Sequence, residues 1–293
     1  MPSEPPSSTS RPLDQRDLTV LEVIKLSTDH LRKHSSDSAR LDAEVLLATA
    51  LGLRRLDLYL QFDRLLTETE LSAYRALVAR RAHGEPVAYL VGHKEFMALD
   101  FEVTPAVLVP NPDTEVLVQR AVALARETDR PFRVADIGTG SGCIAVAVAH
   151  YAPAAEVWAT DISAEALEVA ARNVAKHGLD SRVHLACGDL MEPLEGTFDL
   201  VCANLPYLPS TSRLATEVLA QPRTALYAGQ GGSELVTRLL ATAPPRLKPG
   251  GRMLAELDPS ILATVVEAAD RAFTAHRVHQ DLGGHERVLE AWS

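Results

Sequence analysis

"VADIGTGSGCIAV" (134–146) runs from an apolar stretch into Gly138, Gly140 and Gly142, then out into a second apolar stretch. The first half reads as a short buried strand and the second as a helix, with the glycines in the turn between them. Glycines let such a loop turn tightly and let a ligand lie against bare backbone. The spacing is G-x-G-x-G. A dinucleotide fingerprint would need its last glycine at Cys143, and the Lys-Ser/Thr of a triphosphate cradle is missing. Asp136, beside the loop, adds a carboxylate that suits a cationic ligand better than a pyrophosphate.

The pattern extends outward from this turn. "FRVADIG", "AEVWATD", "RVHLACGD", "FDLVCANLP" and "GGRMLAEL" read as strands. Between and after them, "SGCIAVAVAHYA", "SAEALEVAARNVAKHG", the stretch near Glu234 to Leu240 and "SILATVVEAAD" read as helices. Such alternation implies an α/β fold of Rossmann-like type, with a mostly parallel sheet and helices on both faces. "TAHRVHQDLGGHERVLEAW" closes the chain as an antiparallel hairpin around Gly283-Gly284.

Upstream the character changes. The Pro/Ser-rich stretch 1–16 is expected to be a disordered tail. Residues 17–84 read as a bundle of three helices, the last opened by a Thr67–Glu70 capping box and stopped at Gly84. Residues 85–110 read as a hairpin or extended linker. The α/β domain then occupies 111–293, and "NPDTEVLVQRAVALARE" opens its first helix with Pro112, Asp113 and Glu115 at the positive end.

The chain has 293 residues and a formal net charge of -10, which argues against a protein that grips bare nucleic acid backbone. The N-terminus lacks the apolar core of a signal peptide, and no apolar run is long enough to span a membrane, so a cytoplasmic protein without membrane partners is expected. Cys143, Cys187 and Cys202 have neither metal-ligand nor redox spacing. No metal site is expected at His276, His279 and His285 either.

The functional candidates gather at strand ends. Asp161 ends the second strand, where a carboxylate can accept both hydroxyls of a ribose. Asp189 ends the third, near where an adenine would lie. With the loop Gly138, Thr139, Gly140, Ser141 and Gly142, these acids describe a site for ribose, adenine and a positive sulfur centre, which is S-adenosylmethionine. The fourth strand ends in "VCANLPYLPS" (201–210). The Asn204 carboxamide can accept a hydrogen bond from an NH2 group, and the Leu205 carbonyl can accept a second. Pro206 restricts Leu205 to extended geometry, which aims that carbonyl. Tyr207 can pack on a flat group. The four suit a planar, neutral NH2, either a carboxamide or an exocyclic base amine.

These segments together resemble the HemK/PrmC family over nearly the whole chain. The resemblance rests on 84–118, "DIGTGSGCIAVAVA" (136–149), "NLPYLPS" (204–210), "QPRTALYAGQGGSELVTRLL" (221–240) and "DLGGHERVLEAW" (281–292). It implies a class I S-adenosylmethionine-dependent methyltransferase with a small N-terminal helical domain. The implied reaction methylates the side-chain nitrogen of the glutamine in the Gly-Gly-Gln motif of peptide chain release factors and leaves S-adenosylhomocysteine. It also implies that the glycine loop cradles the methionine part, that Asp161 holds the ribose, that Leu190 lies against the adenine, and that Asn204 to Tyr207 bind the glutamine amide. Two positions depart from the family pattern: Leu205 replaces a proline, and Asn111 replaces an arginine. "NLPY" also resembles the motif of ribosomal RNA adenine dimethyltransferases, so methylation of an exocyclic adenine amine is the alternative. A cofactor-binding scaffold without catalysis is a third reading. The segment at 84–118 and the N-terminal helices favour glutamine, with no direct nucleic acid contact expected.

Overall fold

Thr19 and Glu22 cap each other's backbone and open the first helix, α1 (Val20–Lys33). The chain is described by a computed structural model over residues 18–34, 36, 38–281 and 283–293; the tail expected at 1–16 lies outside these. α2 (Ala39–Leu51) stops at Gly52, which takes a left-handed conformation. A single turn, α3 (Arg55–Tyr59), leads to α4 (Glu68–Ala82), whose Thr67–Glu70 capping box forms as the sequence reads. Ser38, a serine placed where a helix cap would stand, instead donates its hydroxyl to Asp42, and Asp42 also pairs with Arg81 at 2.8 Å inside the bundle. Sequence patterning ended this bundle at 84. In the structure a further turn, α5 (Val87–Val91), continues it, with Leu90 buried among the bundle's apolar side chains, and the unit runs to Val91.

The second unit, 92–293, begins with a hairpin, β1 (His93–Phe96) and β2 (Leu99–Glu102). Its two-residue turn, Met97-Ala98, has φ of 50° and 56°, a conformation usually left to Asn-Gly. Outside bonds hold it there: Met97 donates its N–H to Glu115, and its carbonyl accepts from the Tyr151 hydroxyl. A one-turn 3-10 helix, Pro112–Thr114, then feeds α6 (Glu115–Arg126).

The alternation follows as the sequence pattern implies: β3 (Phe132–Ile137), α7 (Cys143–Tyr151), β4 (Ala155–Asp161), α8 (Ala164–Lys176), β5 (Val183–Cys187) and β6 (Phe198–Ala203). Two single turns, α9 (Thr216–Leu219) and α10 (Arg223–Leu226), precede α11 (Glu234–Thr242), β7 (Leu247–Glu256), α12 (Leu262–Ala272), β8 (Ala275–Gln280) and β9 (Glu286–Trp292). The seven strands order as β5-β4-β3-β6-β7-β9-β8. β3 to β7 are parallel, and β9 and β8 are antiparallel, the closing hairpin.

Successive strand residues face opposite sides, so both faces must be apolar. Val134, Leu200 and Cys202 pack with α6 and α7, while Ile137, Val201 and Ala203 pack with α11 and α12. From β3 the chain builds outward to β4 and β5, then crosses back to add β6 on the other side. Such a reversal opens a crevice at the carboxyl ends of the two strands flanking it. Register makes the crevice specific. Ile137 pairs with Thr160 on one side and Ala203 on the other, so Gly138, Asp161 and Asn204 leave the sheet side by side.

Asn173, fully buried on α8, ties this edge to the hairpin. Its carboxamide accepts from Glu102 N–H at 2.7 Å and donates to the carbonyls of Glu102 and Ser141 at 2.9 and 2.8 Å. Asn173→Ala leaves three backbone groups without partners. Each orphaned group costs about 1–3 kcal/mol if it stays dry, and partial wetting brings the expected total to about 2–4 kcal/mol. Urea unfolding measures it; a loss under about 0.5 kcal/mol would contradict the accounting.

Candidate active site

The loop after β3 is held from beneath. Gly138 and Thr139 both donate to the Thr160 carbonyl at 2.9 Å. Asp136 Oδ2 accepts from the Thr139 hydroxyl at 2.6 Å and from Ala145 N–H at 3.2 Å. The side chain is wholly buried, and Oδ1 has no partner. The expectation that Asp136 faces a cationic ligand is therefore corrected: the loop's own donors draw its carboxylate under the loop, away from the cavity. Burial pushes Asp136 up to about 7, the two hydrogen bonds oppose the shift, and the nearby charge of Asp161 adds to it.

The glycines of this loop serve different ends. A Cβ on Gly140 would meet nothing within 4 Å, so that backbone is open to a ligand. A Cβ on Gly142 would lie 3.2 Å from the Ala170 methyl, so glycine there lets α7 pack closely on α8. On Gly138 a Cβ would come within 2.9 Å of a methyl of Leu205. Leu205 thus adds packing against the loop that a proline ring would supply differently, and it is buried in the cluster beneath.

A cavity of about 450 Å³ opens here, within the range of roughly 300–1,000 Å³ usual for small-molecule sites. Gly138, Thr139, Gly140, Ser141, Asp161, Asp189, Leu190, Asn204, Leu205 and Pro206 all line it. Two expected residues do not. Gly142 is turned toward α8. Tyr207 packs against the apolar cluster under the sheet edge, where burial raises its phenol to about 12. The loop 228–232 crosses its backbone so closely that a Cβ on Gly232 would lie 2.5 Å from the Tyr207 carbonyl oxygen. That loop carries the "AGQGG" sequence.

Asp161 Oδ2 accepts from Gly140 N–H and Oδ1 from Ser163 N–H, both at 2.9 Å. Each oxygen keeps a lone pair for a further donor. Asp189 is paired with Arg238 at 2.5 Å, which also lines the cavity. Leu190 sits at φ 47°, an uncommon conformation for a branched side chain, and its carbonyl accepts from the Thr160 hydroxyl at 2.8 Å. Strain of this kind persists where surrounding bonds enforce it.

Asn204 Nδ2 donates to the Thr114 hydroxyl at 3.1 Å. Beside them Glu256 ends β7 one strand over, since Ala203 pairs with Ala255. Glu256 is almost fully buried, and its Oε2 lacks a partner. Burial pushes it up to about 7; hydrogen bonds from Thr114 and Asn204 and the charge of Arg287 oppose the shift, while Asp113 adds to it. Asn111, where the family pattern has arginine, accepts from Asp113 N–H at 3.1 Å. Positive charge reaches this corner from β9 instead, through Arg287 paired with Asp113 at 3.1 Å.

Thr114, Tyr227 and Arg238, which line the cavity, and Glu256, beside Asn204, escaped the sequence reading. Glu256 had a usable signal: like Asp161, it is an acid at the carboxyl end of a parallel strand. Thr114 and Arg238 sit on helical segments with nothing in their spacing to mark them. His276, His279 and His285 each pair with a different carboxylate, Asp270, Glu290 and Asp281.

Residues 22–92 match the family described as PrmC N-terminal domain, and 112–231 match the methyltransferase small domain. A release factor glutamine methyltransferase of Rhodopirellula baltica is 44% identical over 281 residues, covering 92% of this chain and 95% of the relative. That of Geobacter sulfurreducens is 42% identical over 280 residues, covering 92% and 95%. Among solved structures, the hMettl16 catalytic domain with an RNA hairpin aligns at a TM-score of 0.57 and 20% identity, covering 74% of this chain and 80% of that one. A Pyrococcus furiosus methyltransferase aligns at 0.50 and 22% identity, covering 73% and 95%. At such identities the structures speak for the fold alone.

Asp136 yields a pH test. Its folded pKa of about 7 lies above the ordinary 3.8. The folded state therefore keeps a proton that the unfolded chain releases, and that stabilisation is full below about pH 4 and lost as pH rises to about 7. In Asp136→Asn this pH dependence disappears. Urea unfolding should show the variant gaining on the parent between about pH 4 and pH 7. A difference that stays flat over that window would contradict the assignment.

Proposed function

Because this chain belongs to the family of release factor glutamine methyltransferases, we propose that its cavity transfers methyl from S-adenosylmethionine to the glutamine side-chain nitrogen of the Gly-Gly-Gln motif of a release factor. The cofactor, when bound, supplies a methyl group on a positively charged sulfur. The residues fit such a group: Gly140 offers open backbone, Asp161 keeps lone pairs for ribose hydroxyls, and Leu190 and Asp189 border the remaining space for an adenine.

The observation that carries the reading is Asn204. Its Nδ2 is engaged by Thr114, so its Oδ1 is the atom left to meet a ligand, in the same cavity as the glycine loop. An amide nitrogen is a weak nucleophile because its lone pair is delocalised into the carbonyl. Asn204 Oδ1 accepts one hydrogen of the substrate NH2 and the Leu205 carbonyl accepts the other. Together they turn the nitrogen toward the methyl carbon and stabilise the positive charge that develops on it. Pro206 keeps the Leu205 carbonyl aimed. Tyr207, packed beneath, supports the clamp rather than touching the cavity.

The same acceptors could serve an exocyclic adenine amine, so the test must name the acceptor. Purified protein with labelled cofactor should label release factor in a nuclease-treated extract, and a protease-treated extract should stay unlabelled. Label in RNA would overturn the reading. Asn204→Ala should lower transfer by at least about 100-fold while calorimetry finds cofactor affinity within about threefold. Transfer at the parental rate would remove Asn204 from the chemistry.

A further inference from the structure

Asn204 can act as an acceptor only if its carboxamide oxygen, not its nitrogen, faces the substrate. The two ends have the same shape, so something must choose between them. The choice lies with the groups its nitrogen faces, Thr114 at the cavity wall and Glu256 behind it. Thr114 and Glu256 are 2% and 4% exposed, on a helix start and a strand end about 140 residues apart in the chain. Asn204 Nδ2 donates to Thr114 Oγ1 at 3.1 Å. A hydroxyl that accepts there still has one proton to place, and the carboxylate on that side is Glu256, one strand over from Asn204, whose ionisation both Thr114 and Asn204 favour. In its charged form, which Thr114 and Asn204 favour against the burial, this carboxylate offers only acceptors. Whatever faces it from Thr114 and Asn204 must therefore be O–H and N–H, which leaves Asn204 Oδ1 pointing the other way. Glu256 Oε2, buried without a partner, leaves acceptor capacity unused on this side.

We propose that Thr114 and Glu256 are positioning residues that lock the Asn204 carboxamide with its oxygen toward the substrate NH2. The proposal rests on the reading of Asn204 as the amide acceptor and gives that acceptor its cause. Neither residue touches the methyl group; both act through Asn204. With Glu256 charged, the direction that follows is Asn204 N–H to the Thr114 hydroxyl, then the Thr114 O–H to Glu256.

Three variants separate positioning from packing. Thr114→Val keeps the shape and removes the relay, Thr114→Ser keeps the hydroxyl, and Glu256→Gln introduces an NH2 that can satisfy a flipped carboxamide. Two readouts run on each. The first is the side-chain NH2 resonance pair of Asn204 in the protein alone, identified by its absence in Asn204→Ala. The second is kcat and KM with release factor. The Asn204 pair should be shifted and slow to exchange in the parent and in Thr114→Ser, and should lose both features in Thr114→Val. With release factor, kcat should fall about 10- to 100-fold in Thr114→Val and Glu256→Gln, while KM for S-adenosylmethionine changes less than about threefold. Thr114→Ser should recover most of kcat. An unchanged resonance pair in a folded Thr114→Val, or a Thr114→Ser as impaired as Thr114→Val, would overturn the proposal. A parent protein that shows the protected pair yet methylates no release factor would overturn the proposed substrate and leave the positioning relation standing.

Discussion

The sheet reverses direction at β3, and the site depends on that reversal. Ile137 pairs with Thr160 on one side and Ala203 on the other, so the chain leaves three neighbouring strands at the same level. Beyond that level β3 and β6 have no further ladder partner in each other, and their backbone groups must bond to loops, side chains or ligand. The glycine loop, Asp161 and Asn204 become neighbours because of this register and not because of sequence proximity. A one-residue slip would turn each side chain to the opposite face and disperse the site.

Holding that edge open is a matter of buried polar bonds. A loop built on glycines has high conformational entropy to lose, and apolar packing alone would not define it. Asp136 and Asn173 supply the definition from below, one bonding within the loop and the other joining Ser141 to the hairpin through Glu102. Each is completely buried, so each bond is costly to leave unmade. The hairpin's left-handed Met97-Ala98 turn is enforced in the same way, by Glu115 and Tyr151. The open side of the loop at Gly140 is what remains for a ligand.

Local pattern made much of this legible in advance. Strand and helix alternation, the glycine turn, Asp161 at a strand end and the Asn204 exit are each contained within a dozen residues, and all lie where that pattern puts them. Orientation was not legible. Asp136 sits beside the loop in sequence, but whether it faces the ligand or the core depends on which donors reach it first. Tyr207 follows Asn204 closely, yet the 228–232 loop lies over its backbone and the ring packs beneath the edge. Thr114 and Glu256 meet Asn204 only through the fold, on elements the sequence separates widely. The helical unit shows the same limit: long capped helices announce themselves, whereas the single turns α3 and α5 have too few residues for a period.

In the proposed reaction one crevice holds a sulfonium methyl donor on the glycine loop and Asp161, and presents a glutamine nitrogen to it from Asn204 and Leu205. A crystal structure of the protein with S-adenosylhomocysteine and a Gly-Gly-Gln peptide tests it directly. The expected result puts the ribose hydroxyls on Asp161. It also puts the glutamine NH2 within about 3 Å of both Asn204 Oδ1 and the Leu205 carbonyl oxygen, with its nitrogen turned toward the sulfur. A glutamine bound outside this crevice, or held by the Asn204 nitrogen instead of its oxygen, would overturn that geometry.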